Sequence, residues 1–369
     1  MPEPAGPRDE GFTPLSPRPS HGPGERSPAA GLEQLRTSVP ELKDRLVASG
    51  APSGVSSGEL VTRPYPVAFA FAGAPRSPVT TVPLTSRLLV VQWREPSGTA
   101  RTLLWEPADH ERTLPIPDPA GVRRRSPLRT VVHGTVPGHL RALGLAAEDV
   151  DYVAFSSLQT HDLRRLLGTT TPATDLGGAD APVVGWLPSA RLLVDRREWE
   201  TALEPHPLQR PWYQPATMAQ LLSERVVPLD GDVLLGPGIA LLSTPGRTCG
   251  HRSLALHTDS GVWVASSNGA AAEAWAPHAS RIPGLRAWSM AWDRETVPHD
   301  NGAVSALEQY DAMVLERLLA DQAPSMPFPQ CLPSAELTPH RLAVGLAPTH
   351  VHAGLTHGAI LGTPPAAVR

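Results

Sequence analysis

The stretch DVDYVAFSSLQTHDLRRLLG, at positions 149–168, constrains the fold of this 369-residue chain more than any other segment. Its first part, Val150 to Phe155, is a short apolar run that predicts a buried strand. A polar turn follows, and leucines then recur at helical spacing up to Gly168, a typical helix stop. The turn therefore lies between the carboxyl end of a strand and the amino end of a helix, where α/β proteins usually bind ligands.

Strand-like and helix-like segments flank this stretch on both sides. Short β-branched or apolar runs between Pro, Gly and Ser turns predict strands near 66–71, 88–93, 102–105, 191–195, 226–233, 238–243, 253–257, 261–266 and 341–347. Helical patterns lie at 137–145, 197–203, 218–225 and 305–318, the last beginning with the capping box Ser305 and Glu308. Strands, a helix, then strands and a helix again indicate a layered α/β/β/α sandwich.

The beginning of the chain differs in composition from the remainder. Residues 1 to about 30 are rich in Pro, Gly and Ser, and they hold too little apolar surface to offset the chain entropy lost on folding. Residues 31–49 predict one or two short helices interrupted at Pro40. We therefore expect a largely disordered N-terminal extension at 1–55 and a single folded domain at 56–369.

Charge and cysteine content narrow the function classes. A net charge of -4 without a basic stripe argues against nucleic-acid binding. No apolar run is long enough to span a membrane, and the N-terminus lacks the apolar segment of a secretory signal. Cys249 and Cys331 fit no zinc or redox spacing. We expect a cytoplasmic protein with a small-molecule substrate or ligand and no membrane partner, and homo-oligomerisation stays open.

Four motifs, in order along the chain, resemble the metallo-β-lactamase superfamily. The central turn stands where that family has His-x-His-x-Asp-His, and LLSTPGRTCGHRSL at 241–254 resembles its Thr-Pro-Gly-His-Thr-x-Gly-His. VWVASSNG at 262–269 resembles the strand that ends in a bridging aspartate, and LAPTHVH at 346–352 the segment with the last metal-binding histidine. The resemblance extends from about residue 60 to the end. It implies a four-layer αββα metallo-β-lactamase-like sandwich that hydrolyses an ester, lactone, thioester or amide with metal-bound hydroxide.

The first of the two metal pockets that the resemblance implies has lost its ligands. Ser157, Gln159 and Arg247 stand where the family has three histidines. Neutral hydroxyl and amide oxygens bind transition metals weakly, and a guanidinium does not bind them. We expect this pocket to lack a metal, with Arg247 as a permanent cation that holds a carboxylate or a developing oxyanion. Alternatively, Arg247 pairs with Asp162 and fills space.

The second implied pocket retains part of its ligand set. Its positions hold His161 and Asp162, in the reverse of the family's order, with Asn268 and His350. One carboxylate and two imidazoles suit a single zinc or iron ion, so His161, Asp162 and His350 are the candidate ligands. No cofactor is certain on this basis. Gln159 and Asn268 are the candidate substrate-binding residues.

Chemistry without a metal is the other possibility at this site. His161 and Asp162 together could orient a water as a general base. Ser157 could be a nucleophile activated by His161 or His350, or simply a hydrogen-bonded turn serine. The candidate catalytic residues are His161, Asp162, Arg247 and Ser157. Two interpretations follow: a hydrolase-like protein with a single-metal or metal-free site, or a non-catalytic descendant that binds a ligand or protein partner through the old cleft.

Overall fold

The structure of this chain, a computed structural model, describes residues 11–15, 27–117, 121–178, 180–299, 305–323 and 326–362. Within these ranges the strands are β1 (Thr13–Pro14), β2 (Gly54–Pro66), β3 (Thr81–Arg94), β4 (Ala100–Trp105), β5 (Val131–Val132), β6 (Tyr152–Ala154), β7 (Arg191–Asp195), β8 (Val226–Leu229), β9 (Val233–Gly236), β10 (Ile239–Ser243), β11 (Arg252–Thr258), β12 (Gly261–Ser266), β13 (Cys331–Pro333), β14 (Ala335–Leu337) and β15 (Thr356–Gly358). The α-helices are α1 (Pro28–Ala48), α2 (Val67–Ala70), α3 (Val136–Ala142), α4 (Arg164–Leu167), α5 (Arg196–Leu203), α6 (Pro215–Met218), α7 (Leu285–Ala291) and α8 (Ala306–Leu319).

The described strands form two mixed sheets. Sheet I has the order β1-β9-β10-β11-β12-β13, with β13 parallel to β12. Sheet II has the order β15-β2-β3-β4-β6-β7-β8, and β5 and β14 pair with β2 and β3 outside this path. In sheet II, β4, β6, β7 and β8 run parallel, so their carboxyl ends lie along one edge.

Alternating side chains divide the core into layers. Along β3, Leu89 and Val91 pack into a central core, whereas Leu88 and Val90 face the opposite side of sheet II. This is the two-residue period of a strand that is buried on both faces. The central core joins side chains of both sheets, so the two sheets pack face to face. Each fully buried aliphatic side chain of this kind stabilises the fold by roughly 1.5–3 kcal/mol.

The helices cover the two outer faces. Residues of α3, α4, α5 and α6 pack on the outer face of sheet II, and residues of α1 and α8 pack on the outer face of sheet I. The order of layers is therefore α, β, β, α, which confirms the predicted sandwich. No helix within the described ranges is long and apolar enough to cross a membrane.

The N-terminal part of the chain differs from the prediction. Of the predicted extension at 1–55, residues 1–10 and 16–26 lie outside the described residues. α1 is one continuous helix with Pro40 inside it, although a break was expected there. Leu35, Val39 and two further apolar side chains of α1 are buried against sheet I, so the helix belongs to the sandwich. Because β2 already begins at Gly54, the folded part also begins before the predicted boundary at 56.

The central stretch folds in the predicted order of strand, turn and helix. β6 lies between β4 and β7, and α4 follows the turn. Gly168 ends α4 with a φ of 86°, a left-handed conformation that favours glycine. A Cβ added there would lie 2.9 Å from the carbonyl oxygen of Val183, so a side chain is also excluded sterically.

Residues 341–347, which were predicted to form the last strand, do not form a strand in the structure. These residues form turns, and the Val344 side chain is 73% exposed. The edge of sheet I is instead occupied by β13. The predicted metal site requires His350 to follow a buried strand. In the structure it does not, because residues 341–347 form turns.

Candidate active site

Two pairs of parallel strands, one pair in each sheet, end at one cavity of about 170 Å³. In sheet II, Glu106 follows β4 and Ser156 follows β6. In sheet I, Ser267 follows β12 and Ser334 follows β13. All four residues line the cavity. The central turn therefore lies where the sequence places a ligand site, at the carboxyl ends of the strands.

The cavity combines ionisable groups with an apolar wall. The ionisable lining residues are Arg63, Tyr65, Glu106, His110, Arg123, His161, Arg247 and His299. The apolar ones include Val61, Leu84, Ala108, Leu114, Ile116 and Ala335. Such a mixture of a mostly apolar surface and a few convergent polar groups is typical of small-molecule sites.

Glu106 is the acidic group of this cavity. Its carboxylate accepts hydrogen bonds from the backbone N–H of Ser156, at 3.0 Å, and from the Ser156 hydroxyl. Burial raises the pKa of Glu106, while the Ser156 hydrogen bonds and the Arg247 charge oppose that rise. Its φ of 57° is a left-handed conformation that costs a non-glycine residue free energy, and such strain often marks functional sites.

Glu106 was not predicted from the sequence, although a signal was present. It directly follows a predicted strand, residues 102–105, whose carboxyl end lies beside that of the central strand. The parallel pairing of those two strands was not predicted, and so the carboxyl group was not placed at the site.

His161 lies beside Glu106 in the cavity and is uncharged. Its Nε2 is 3.9 Å from Oε2 of Glu106, which is too long for a direct hydrogen bond. Its ring centroid is 4.6 Å from that of Phe155. Burial, followed by the charges of Arg63 and Arg247, lowers the pKa of His161 to about 3. At neutral pH this imidazole therefore acts as a neutral hydrogen-bonding group.

Arg247 places a permanent positive charge in the cavity. Its Nη1 donates to the backbone oxygen of Ser267, at 2.5 Å, and to Nδ1 of His299, at 2.6 Å. Because Nδ1 of His299 accepts this bond, its proton is assigned to Nε2. Burial and the Arg247 charge both lower the pKa of His299. His299 has no distinctive sequence spacing, and only the fold brings it to Arg247.

The predicted metal ligands do not converge. Asp162 instead pairs with Arg164, with distances of 3.0 Å from Nε to Oδ1 and 2.8 Å from Nη2 to Oδ2. His350 lies against Phe328 and His352, with ring centroids 6.0 and 4.8 Å away. Of the three, only His161 lines the cavity.

The donor set consequently does not fit a metal ion. Within the described ranges, no group of three or more His, Cys, Asp or Glu side chains could hold one. The physical reason is local: the guanidinium of Arg164, two residues along the chain, takes the carboxylate of Asp162. Arg247 additionally brings a cation to a cavity where a metal ion would be a second positive charge.

The remaining predicted site residues divide into two groups. Ser157 and Gln159 are buried and line the cavity, as expected for residues of the central turn. Within the described structure, no hydrogen bond joins Ser157 to His161 or His350. Asn268 is fully buried outside the cavity, where its Nδ2 donates to Oε1 of Glu316 at 2.8 Å.

A chain of hydrogen bonds runs from the cavity to α8, which packs on the outer face of sheet I. Its members are, in order, Glu106, Ser156, Ser267, His251, Thr244, Ser253 and Glu316. Beyond the first link, the successive donor–acceptor distances run from 2.6 to 3.0 Å. Burial and the Arg247 charge lower the pKa of His251 to about 3, so this imidazole is neutral. The chain connects the carboxyl group of the cavity to that of α8.

Comparisons with known proteins give structural similarity only. No protein-family model and no curated protein matches this chain. Among solved structures, a quorum-quenching N-acyl homoserine lactone lactonase is 14% identical, with a TM-score of 0.48 over 78% of this chain and 94% of its own. A probable metal-dependent hydrolase from Staphylococcus aureus is 12% identical, with a TM-score of 0.46 over 72% and 84% of the two chains. A hydrolase in the beta-lactamase superfamily is 12% identical, with a TM-score of 0.45 over 82% and 99%.

The fold assignment depends on the arrangement of this chain itself. Two mixed sheets pack face to face, helices cover both outer faces, and the central turn lies at the edge where strands of both sheets end. These are the features that the four sequence motifs imply. The chain has a metallo-β-lactamase-like αββα fold.

Proposed function

We propose that the cavity is a metal-independent hydrolytic site for a small-molecule ester, lactone, thioester or amide. The observation that carries the proposal is that a buried carboxyl group and a guanidinium, from Glu106 and Arg247, line the same cavity. The neutral imidazole of His161 borders the carboxyl group. These groups provide a base that activates water and a positive charge that stabilises an oxyanion. A metal-bound hydroxide would perform the same two functions.

Each group has a defined role in the proposed reaction. Glu106, whose pKa is raised by burial, is a stronger base than an ordinary glutamate and takes a proton from the attacking water. The water oxygen bonds to the carbonyl carbon, and the negative charge that develops on the carbonyl oxygen is stabilised by Arg247. The bond to the leaving group then breaks, and the proton held by Glu106 passes to the leaving atom. His161 contributes one hydrogen bond to the attacking water.

The alternative is a non-catalytic descendant that binds a ligand or a protein partner. It is favoured by the bonds that both principal groups already make. Ser156 donates two hydrogen bonds to Glu106, and Arg247 is bonded to Ser267 and His299. Groups held in this way are suited to recognising a ligand without reacting with it.

A hydrolysis screen in the presence of a metal chelator tests the proposal. We expect activity on at least one small ester or lactone, unchanged by the chelator and lowered about 10²-fold or more in Glu106→Gln, because the general base is lost. Arg247→Ala should lower kcat by about 10²-fold through loss of oxyanion stabilisation. Because the base must be deprotonated, the rate should rise with pH along a limb whose apparent pKa lies above the ordinary glutamate value of 4.5.

Glu111→Gln is the matched control, since it removes a carboxylate that is 61% exposed and does not line the cavity. Equal activity of Glu106→Gln and the wild type would refute the mechanism. Saturable ligand binding without turnover of any substrate would favour the non-catalytic alternative.

A further inference from the structure

Glu316 of α8 has no role in the proposed reaction, although hydrogen bonds connect it to the cavity. Its side chain is fully buried. Its carboxyl group accepts hydrogen bonds of 2.6 to 2.8 Å from Ser253, Ser266, Asn268 and Trp275. The first of these donors belongs to the hydrogen-bonded chain that reaches Glu106. Two buried carboxyl groups, Glu106 and Glu316, therefore lie at the ends of one chain, and burial disfavours the charged form of each.

His251 stands in the middle of this hydrogen-bonded chain. Its Nε2 lies 3.0 Å from Oγ of Ser267, and its Nδ1 lies 2.9 Å from Oγ1 of Thr244. Both partners are hydroxyl groups, which can donate or accept. The ring is fully buried and, among the described residues, no carboxylate bonds to it, so it is neutral, in agreement with its pKa of about 3. A neutral imidazole donates at one nitrogen and accepts at the other. Its tautomer therefore sets the direction in which the whole chain donates.

The hydrogen-bonded chain has two complete directions of donation. If Glu106 holds a proton, every hydroxyl group donates towards Glu316, and His251 carries its proton on Nδ1. If Glu316 holds the proton, every hydroxyl group donates towards Glu106, and His251 carries its proton on Nε2. With both carboxyl groups ionised, the five groups between them supply only five protons for six links. The complete chain therefore holds one extra proton at one of its two ends.

Opposing effects of the same kind act on both ends. At Glu106, the Ser156 hydrogen bonds and the Arg247 charge oppose the rise in pKa that burial causes, and the imidazole of His161, 3.9 Å away, is neutral. At Glu316, the hydrogen bonds that its carboxyl group accepts oppose the same rise. The thiol of Cys331, which lies 3.6 Å from the backbone oxygen of Glu316, has a raised pKa and is neutral. Each end can therefore take either form, which is the condition for exchanging a proton.

We infer that the hydrogen-bonded chain is a proton relay through which Glu106 and Glu316 share one proton. In the transfer, Glu106 gives its proton to Ser156, each following group passes on its own proton, and Ser253 protonates the carboxylate of Glu316. Every O–H or N–H bond that breaks is replaced by a new one, and His251 changes from the Nδ1–H to the Nε2–H tautomer.

The transfer leaves Glu106 ionised, which is the form that takes a proton from the attacking water. The inference rests on the proposed function in this respect, and it makes His251 and Glu316 positioning residues that act through Glu106. The position of the shared proton can be measured without any substrate, so the relay and the proposed function are tested separately.

NMR spectroscopy of the full chain with nitrogen-labelled histidine tests the relay, because it distinguishes the two neutral tautomers from each other and from the imidazolium. The signals of His251 are identified by their loss in His251→Gln. In Glu106→Gln the remaining carboxylate is that of Glu316, so we expect the Nδ1–H tautomer. In Glu316→Gln the remaining carboxylate is that of Glu106, so we expect the Nε2–H tautomer. The tautomer ratio should differ by about tenfold or more between these variants, because charge-assisted hydrogen bonds are roughly twice as strong as neutral ones.

Two further variants separate transfer along the chain from a direct effect of charge. Ser267→Ala cuts the chain between Glu106 and His251, so adding Glu106→Gln to it should leave the tautomer ratio unchanged. Ser253→Ala cuts the chain before Glu316 and should give the same tautomer as Glu316→Gln. It replaces that variant if circular dichroism shows that Glu316→Gln has not folded. Glu111→Gln, at an exposed carboxylate that does not line the cavity, should keep the wild-type ratio.

The same tautomer ratio in Glu106→Gln as in Glu316→Gln or Ser253→Ala would overturn the relay. So would an imidazolium at His251, or an effect of Glu106→Gln that persists in the Ser267→Ala background. Hydrolysis with an unchanged tautomer would overturn the relay and leave the proposed function standing. The expected tautomer change in a protein that hydrolyses none of the substrates would do the reverse.

Discussion

Arg247 is charged at every ordinary pH, and it stands where the sequence resemblance implies a metal-binding histidine. Its bonds to Ser267 and His299 fix the guanidinium relative to the ends of sheet I. The charge also reaches the other polar groups of the cavity, because it lowers the pKa of His161 and opposes the rise in the pKa of Glu106. This one side chain therefore influences the protonation of both His161 and Glu106.

Asp162 shows how one local partner removes a residue from a site. Its carboxylate is buried and pairs with Arg164, which also bonds to Asp175. We predict that Asp162→Ala lowers the free energy of unfolding by about 3 kcal/mol, because a buried guanidinium loses its buried partner. Urea denaturation measures this difference.

Asp175→Ala is the comparison for that experiment. Asp175 bonds to the same guanidinium, but its side chain is 48% exposed, so its removal should cost less than the removal of Asp162. An Asp162→Ala variant as stable as the wild type would contradict a structural role. It would return Asp162 to the list of candidate site residues.

The residues around the cavity fall into two groups. The position of one group is determined by neighbouring residues in the sequence, and that of the other by distant segments of the chain. Ser157, Gln159 and His161 line the same cavity because they belong to one turn between a strand and a helix, both of which the sequence predicts. Glu106 and His299 come from distant segments and were not predicted, since their position depends on strand pairing and loop packing. His350 was misplaced because the apolar run 341–347 forms turns rather than a strand.

At the scale of elements, the hydrogen-bonded chain from Glu106 to Glu316 joins both sheets to α8. Six links connect seven groups, and each of the five intermediate groups supplies one proton when His251 is neutral. The sixth proton must come from one of the two carboxyl groups. Burial raises the pKa of both carboxyl groups, so the network holds one more proton than two ionised glutamates would allow.

Two buried imidazoles, His251 in this hydrogen-bonded chain and His161 in the cavity, predict sensitivity to acid. His251 and His161 have pKa values of about 3 in the folded state and about 6.5 when unfolded. A lowered pKa means that the stability contribution is complete above pH 6.5 and is lost as the pH falls, because only the unfolded chain takes up the proton. We predict that the free energy of unfolding declines from pH 6.5 towards pH 4, by at most about 1.4 kcal/mol per pH unit for each histidine.

Chemical denaturation across this pH range measures the decline. His251→Gln should unfold with a shallower pH dependence than the wild type, whereas His206→Gln, at an exposed position, should keep the wild-type dependence. A stability that stays constant between pH 6.5 and pH 4 would contradict the neutral, buried state of both imidazoles.

The whole molecule is a sandwich with a cavity at the shared edge of its two sheets. The layers were predictable from alternating apolar residues and the order of segments. The contacts around the cavity were not predictable, since the pairing of Asp162 with Arg164 and of Arg247 with His299 is decided by packing. The position of α1 also depends on packing. The helix continues through Pro40, where the sequence predicts a break, and its apolar face is buried on sheet I.

The most direct measurement of the central claim is the metal content of the purified, tag-free protein before and after dialysis with zinc and with iron. The guanidinium of Arg247 lies in the cavity, and Asp162 is bonded to Arg164. We therefore predict far less than one metal ion per chain, both before and after dialysis. His161→Ala and His350→Ala should give the same result as the wild type. About one tightly held metal ion per chain, lost in His161→Ala or His350→Ala, would contradict the account.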